Sequence, residues 1–311
     1  MQIVRLEALA PLGWANPAVS VGNFDGVHRG HQALAQAVVR EARRGAGTAV
    51  VLSFDPHPSR VLAPERAPAT LLTIPQRAEL LGGLGIDRLA VLPFTAELSQ
   101  YPPEGFAQRV LAGCLGARVV AVGANFRFGR GRVGDLAALT AFGATMGFRV
   151  LGLAPVLLDD APISSTRVRE AVARGDCRAA RELLGRRAFL DGVVVRGAGR
   201  GRALGLATAN LDPLNETLPH AGVYACCART LPAGDSLPAV VNIGRRPTFG
   251  GGAVTVEAHL LDFDGDLYGH VLRLEFEARL RDERRFDGPE ALLAQVREDI
   301  AAARRLLEKA C

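Results

Sequence analysis

His28 and His31 bracket Gly30 in the order His-x-Gly-His, at the end of a run from Val21 to Gln32 that also holds Gly22, Asn23, Phe24 and Gly26. Two imidazoles so close in sequence can donate hydrogen bonds to phosphate oxygens. Ala18 to Val21 reads as a short buried strand, and Leu34, Ala37, Val38 and Ala42 fall at helical spacing, so the histidines sit at a strand-to-helix turn. A helix start offers unpaired N–H groups and the positive end of the helix dipole, and glycines let the backbone approach an anion closely. Gly22, Asn23, Phe24 and Gly30 are therefore candidate nucleotide-phosphate contacts.

Three more clusters fall in the first half of the chain. Ser53 to Pro58 reads Ser-Phe-Asp-Pro-His-Pro; its prolines stiffen the loop, and Phe54 offers a ring to a planar ligand. Gly123 to Arg132 has three glycines and three arginines around Asn125, the composition of an anion or nucleotide loop. In Ile163 to Arg169, Ser164 and Ser165 stand at a helix start with Arg167 just inside it. Hydroxyls, N–H groups and a guanidinium placed together in this way bind polyphosphate. In the second half, a glycine-rich turn containing Gly199 and Gly205 precedes Thr208 and Asn210. Spaced i, i+2 in extended chain, those two oxygen-bearing side chains project to one side and can face a single Mg²⁺. Glu257 lies in a run where Val254, Val256, Ala258 and Leu260 alternate with other residues, which puts it on the face opposite the small aliphatics.

The elements that must position these residues come in two kinds. Between residue 18 and about 155, strand-like runs at 48–54, 89–93, 119–123 and 148–153 alternate with helical patterns at 75–81, 104–111 and 136–146. That alternation predicts a parallel sheet wrapped by helices, with ligands at the carboxyl ends of its strands. Two short helices follow, stopping near Gly175 and Gly185, and the domain boundary is placed at the second stop, giving domains 1–185 and 186–311. Beyond it, runs at 189–195, 223–228, 239–243, 254–261 and 271–280 have no helices between them and predict a small antiparallel barrel. In the last run Leu272 to Leu280 alternate apolar and charged, and Asp287-x-x-Glu290 resembles a capping box that opens a final helix.

Composition limits the possible functions. A chain of 311 residues with 49% hydrophobic content can build two cores. No apolar run approaches the ~20 residues of a membrane helix and no signal pattern opens the chain, so a soluble cytoplasmic protein is expected. The five cysteines match neither a disulfide nor a zinc framework and read as reduced thiols. The formal charge of +5 comes from arginines scattered among acids, which suits nucleotide phosphates without marking a nucleic-acid surface. Lys309 is the only lysine, so no Gly-Lys pair exists for a P-loop and ATP chemistry must use another scaffold.

Taken in order, the His-x-Gly-His run, Ser-Phe-Asp-Pro-His-Pro, the Phe126-x-Phe128-Gly129 loop and Ile-Ser-Ser-Thr-Arg-Val-Arg resemble the FAD synthetase half of bacterial bifunctional riboflavin kinase/FAD synthetases. The glycine-rich turn with Thr208 and Asn210, Asn242 to Phe249, Val256 to Asp262 and Leu267 to Gly269 resemble the riboflavin kinase module of the same family. The resemblance covers about residues 16 to 305. It implies an α/β chain: a Rossmann-like nucleotidyltransferase domain followed by a riboflavin-kinase-like barrel with a terminal helix. In the first, FMN phosphate attacks the α-phosphate of ATP and pyrophosphate leaves. His28 and His31 would stabilise the charge, Arg167, Ser164 and Ser165 would hold pyrophosphate, Asn23 and Asn125 would seat ATP, and Phe54 and Pro56 would line the FMN site. In the second, Thr208 and Asn210 would hold Mg-ATP, Glu257 would deprotonate the riboflavin 5′-hydroxyl, and Arg281 belongs to the segment that closes on the flavin. Two departures from the family's pattern are visible. Asn125 stands where many relatives have an acid, and Ala207 stands where the family usually has proline.

Overall fold

The computed structural model describes residues 1–197, 207–245, 254–308 and 311. Its packing divides the chain into two compact units, Met1–Ser165 and Thr166–Cys311.

In the first unit, β1 (Gln2–Arg5), β2 (Ala18–Val21), β3 (Ala49–Phe54), β4 (Arg88–Leu92), β5 (Val119–Gly123) and β6 (Arg149–Leu153) form one sheet in the order β1-β4-β3-β2-β5-β6. Every pairing in it is parallel. β2, β3 and the middle of β5 are rich in Val and Ala and almost wholly buried, as strands covered on both faces must be. The order runs outward from β2 in both directions, so a crevice opens between the carboxyl ends of β2 and β5, the usual ligand position in such sheets. The helix Arg29–Arg44 follows β2 and turns Ala35, Ala37, Val38 and Ala42 into the core. The helices Ile74–Gly83 and Leu136–Met146 also match their apolar patterns. The predicted helix at 104–111 is instead one turn, Pro103–Phe106, running into a wider π-helical segment, Ala107–Cys114. β1 has no counterpart among the expected strands; it is short, exposed for the most part and at the sheet edge.

The second unit opens with the helices Ser165–Arg174 and Cys177–Leu184, the latter tied to the barrel by Arg181 and Glu277 at 2.8 Å. A two-residue hairpin, β7 (Leu157–Leu158) with β8 (Ala161–Pro162), lies just ahead of them. The barrel is closed in the order β10-β13-β12-β11-β14-β9, from β9 (Phe189–Val195), β10 (Ala209–Pro213), β11 (Gly222–Thr230), β12 (Leu237–Arg245), β13 (Val254–Leu260) and β14 (Val271–Arg281). Closure removes free sheet edges and encloses a core that includes Leu190, Tyr224, Val241, Val256, Leu272, Leu274 and Phe276. Register shifts in the β11–β14 ladder rotate the end of β14, so that Leu280 packs on the terminal-helix side of the barrel and not with Leu272 and Leu274.

The terminal helix Pro289–Leu307 lays Ala303 and Leu307 over Val223, Ala225 and Cys227. Two expectations are corrected here. The helix is opened by Gly288 with Pro289 at its first position and no side-chain cap, so Asp287 makes no capping box. Cys227 and Cys311 form a disulfide, with Cα atoms 5.5 Å apart, where thiols are expected from the cysteine spacing. Cys311 lies 84 residues downstream of Cys227, and the docking of the terminal helix is what brings it over β11.

Candidate active sites

The turn after β2 depends on left-handed backbone at Phe24, Gly26 and Val27, with φ of 49°, 83° and 42°. Two of these are not glycine, so the surroundings must hold the strain. Asp25 does so from a fully buried position. Its carboxylate accepts the N–H of Leu71 at 3.0 and 3.1 Å and that of Leu72 at 3.1 Å, and it faces the Arg77 guanidinium at 3.5 Å. Arg77 also donates to the carbonyl of Asn23 at 3.0 Å, as does the Ser53 hydroxyl at 3.0 Å. The Ser165 hydroxyl donates to the carbonyl of Asp25 at 2.8 Å, which brings the hydroxyl segment to the histidine turn.

His28 is the N-cap of the helix Arg29–Arg44, and its Nδ1 accepts the N–H of His31 at 3.4 Å. In the neutral ring the proton is therefore on Nε2, a donor. The two imidazoles stack with centroids 3.6 Å apart, and His31 rests against Phe24 at 4.8 Å. A Cβ on Gly30 would stand 3.2 Å from the His28 ring and 3.8 Å from the carbonyl of Ile163, so the glycine is what lets the imidazole lie over the helix start. Nδ1 of His31 is enclosed and has no hydrogen-bond partner among the described residues, which favours its Nε2–H form as well. Burial first, then the charges of His28 and Arg77, holds the His31 pKa well below the ordinary value. At neutral pH it is an uncharged hydrogen-bond donor at a helix N-terminus, already placed for an anion.

Asn23, Phe54, Pro56 and Asn125 lie at or just past the carboxyl ends of β2, β3 and β5. Asn23 and Gly22 are half-buried, whereas Phe24 is fully buried and backs His31 with its ring. Phe54 is half-buried at the end of β3, edge-on to Phe94 at 5.7 Å, and Pro56 is exposed. Asn125 is exposed in the turn that leaves β5. Ser164 is half-buried just ahead of the helix Ser165–Arg174, and Arg167 is half-buried in that helix's first turn, within the second unit.

In the barrel, register assembles the second site. Asn210 on β10 is directly opposite Glu257 on β13, which is opposite Asn242 on β12. The row continues to Val223 on β11 and Arg281 on β14. Opposed residues of an antiparallel ladder project from one face. Val223 packs with the terminal helix, so this is the outer face on the helix side, while Val256 and Ala258 flank Glu257 in the core. Thr208 is half-buried two residues ahead of Asn210. The carbonyl of Ala207 accepts a hydrogen bond from Nδ1 of His259 at 2.7 Å, which anchors the chain at the position where the family's proline is missing. Arg281 is gripped by the buried Asp299 of the terminal helix, Nε at 3.0 and 3.1 Å and a terminal nitrogen at 2.7 Å. Gly199 and Gly205 lie outside the described residues.

Asp25, Arg77, Asn242, His259 and Asp299 did not stand out in the sequence as site residues. Asp25, Asn242 and His259 carried a signal only as members of the matched motifs, and Arg77 and Asp299 carried none.

A parallel sheet with a paired-histidine helix start and a closed barrel with a Thr-x-Asn strand opposite a glutamate define an ATP-using transferase with two sites. Residues 13–167 match the family model described as FAD synthetase, and residues 184–307 the one described as riboflavin kinase. The bifunctional riboflavin kinase/FMN adenylyltransferase of Pseudomonas fluorescens is 42% identical, over 98% of both chains. That of Escherichia coli strain K12 is 36% identical, over 98% of this chain and 97% of its own. A solved structure from Streptococcus pneumoniae, described as a macrolide-efflux protein, shares the fold with a TM-score of 0.89 at 28% identity, over 98% of this chain and 99% of its own. Among the described residues of this chain no helix is long and apolar enough to cross a membrane. The chain belongs to the bifunctional riboflavin kinase/FMN adenylyltransferase family, and it is an ATP-using enzyme with both modules in the family's order.

Proposed function

We propose that the barrel phosphorylates riboflavin and the parallel-sheet unit adenylylates the FMN so formed, with residues 1–185 serving adenylylation and 186–311 the kinase. The observation that carries this reading is the segregation of the two sets of groups. The stacked histidines stand at a sheet crevice in one unit, and the Asn210–Glu257–Asn242 row stands on a barrel wall in the other.

In the kinase step Glu257 takes the proton of the riboflavin 5′-hydroxyl, the freed oxygen attacks the γ-phosphate of ATP, and ADP leaves. A positioned base of this kind contributes ~10²- to 10⁴-fold. Thr208 and Asn210 offer oxygen donors only, which fits Mg²⁺, an ion that keeps water and substrate phosphate as most of its ligands. When bound there it would neutralise phosphate charge; Thr208 and Asn210 orient the nucleotide toward Glu257. Arg281, fixed by Asp299, closes the flavin end of the row.

In the adenylylation step an FMN phosphate oxygen attacks the α-phosphate of ATP, and pyrophosphate carries away the bonding electrons. His28 and His31 donate through Nε2–H to the oxygens on which charge builds, and the neutral state of His31 spares it the cost of a buried cation before ATP arrives. Asn23 and Asn125 seat ATP on the Gly22–Gly30 turn, Ser164, Ser165 and Arg167 hold the departing pyrophosphate, and Phe54 and Pro56 line the flavin side. Each preorganised donor is worth ~10²- to 10³-fold in kcat. We place both reactions in the cytoplasm. Incubation with riboflavin, ATP and Mg²⁺ followed by chromatography tests the reading: FMN must appear first and FAD after it, and absence of both overturns it.

A further inference from the structure

The Ser-Phe-Asp-Pro-His-Pro loop carries a third histidine, to which the scheme above gives no role. His57 is half-buried and caps the helix Pro58–Leu62, its Nδ1 accepting the N–H of Ser59 at 3.2 Å. Its Nε2 lies 2.8 Å from Nδ2 of the Asn23 side-chain amide. The Nδ1 contact places the proton. Nδ1 faces a backbone donor and must be bare, so the proton of the neutral ring is on Nε2 and points at Asn23. An NH₂ at that place would set donor against donor, so the amide is assigned turned by half a revolution, with its oxygen accepting from Nε2–H. With the amide so turned, the NH₂ of Asn23 faces away from His57. Its backbone is fixed independently, since Ser53 and Arg77 both donate to the Asn23 carbonyl. With the main chain held, the two side-chain torsions remain, and the contact with His57 fixes the amide they carry.

We infer that His57 is a positioning residue for adenylylation: it locks the Asn23 amide with its NH₂ available as a donor to the nucleotide. The inference rests on the reading of Asn23 as an ATP contact and specifies which of its atoms makes that contact. An unlocked amide would rotate between a donor and an acceptor, and an acceptor facing a phosphate or ribose oxygen repels it. The effect belongs in the binding of ATP and not in FMN binding or in the kinase.

The test uses the full-length enzyme, whose kinase activity reports folding in every sample. Steady-state adenylylation of supplied FMN is measured for Asn23→Ala, His57→Ala, His57→Gln and the Asn23→Ala/His57→Ala double variant. His57→Ala should raise the KM for ATP about tenfold, the effect of one lost hydrogen bond. The KM for FMN and the rate of riboflavin phosphorylation should stay within about twofold. His57→Gln, whose NH₂ can donate to the same oxygen, should restore the KM for ATP to within about threefold of the parent. The double variant should be no worse than Asn23→Ala alone. An unchanged KM for ATP in His57→Ala, a shift in the KM for FMN instead, or losses that multiply in the double variant would each overturn the inference. A matching failure of Gln to rescue would reduce His57 to a helix cap and overturn it also. If Asn23→Ala itself leaves the KM for ATP unchanged, the reading of Asn23 as an ATP contact is what fails.

Discussion

Replacing His31 by Gln should remove a specific pH dependence from the stability of the adenylylating unit. Burial, His28 and Arg77 hold the folded-state pKa of His31 well below its ordinary 6.5. A histidine with a depressed folded pKa binds fewer protons folded than unfolded, so its effect on stability is absent above pH 6.5 and turns destabilising as pH falls through that value. Between pH 7.5 and 5.5 the unfolded ring, with a pKa near 6.5, gains up to about 1.4 kcal/mol from protonation while the folded ring stays neutral. At a urea m-value of ~2 kcal/mol per molar, that is a fall of roughly 0.7 M in midpoint. The chain's one tryptophan, Trp14, packs against the core of the parallel-sheet unit, so its fluorescence follows this transition. Urea curves at the two pH values, for the parent and for His31→Gln, give the difference directly. The parent's midpoint should drop by about 0.7 M more than the variant's. Equal drops would show that His31 is not held neutral, and the picture of His31 as an uncharged Nε2–H donor would fail with it.

Three other substitutions separate the groups that do chemistry from those that hold them. Gly30→Ala gains up to ~1 kcal/mol of helix propensity but puts a Cβ 3.2 Å from the His28 ring; adenylylation should fall about tenfold or more while kinase activity and stability do not fall, as rate assays and melting curves will show. Asp25→Asn keeps the shape but leaves the buried Arg77 without its carboxylate, and should cost about 3 kcal/mol in the Trp14 transition and depress adenylylation, with riboflavin phosphorylation intact. His259→Ala releases the Ala207 carbonyl, and should raise the KM for Mg-ATP in the kinase assay by about three- to tenfold with little change in FMN adenylylation.

The parts of this fold that were legible in the chain were those written in local pattern. β2, β3 and β5 are unbroken Val- and Ala-rich runs, and the strand-to-helix turn around His28 announces itself by its glycines. β10 was hidden because Ala209–Pro213 mixes Asn210 and Asp212 with one buried side chain and ends in proline, and it borrows its stability from β9 and β13. The support of the sites was less visible still. Asp25 and Arg77 are 52 residues apart, Asn23 and His57 are 34 apart, and Arg281 and Asp299 meet only because the terminal helix docks on the barrel. Asn242 faces Glu257 through a register that closure of the barrel decides, not through any local spacing. The Cys227–Cys311 pair has the same origin in tertiary packing.

The central claim is that one chain holds two separate sites, with His28 and His31 in one and Glu257 in the other. Time courses with riboflavin, ATP and Mg²⁺ for His28→Ala and Glu257→Gln, resolved by chromatography, test it most directly. His28→Ala should accumulate FMN at the parent's rate with FAD formation cut by at least ~10²-fold. Glu257→Gln should leave riboflavin unconverted, with a rate loss of ~10² or more, yet adenylylate supplied FMN at the parent's rate. Loss of both activities together in either variant, with the protein still folded, would contradict the account.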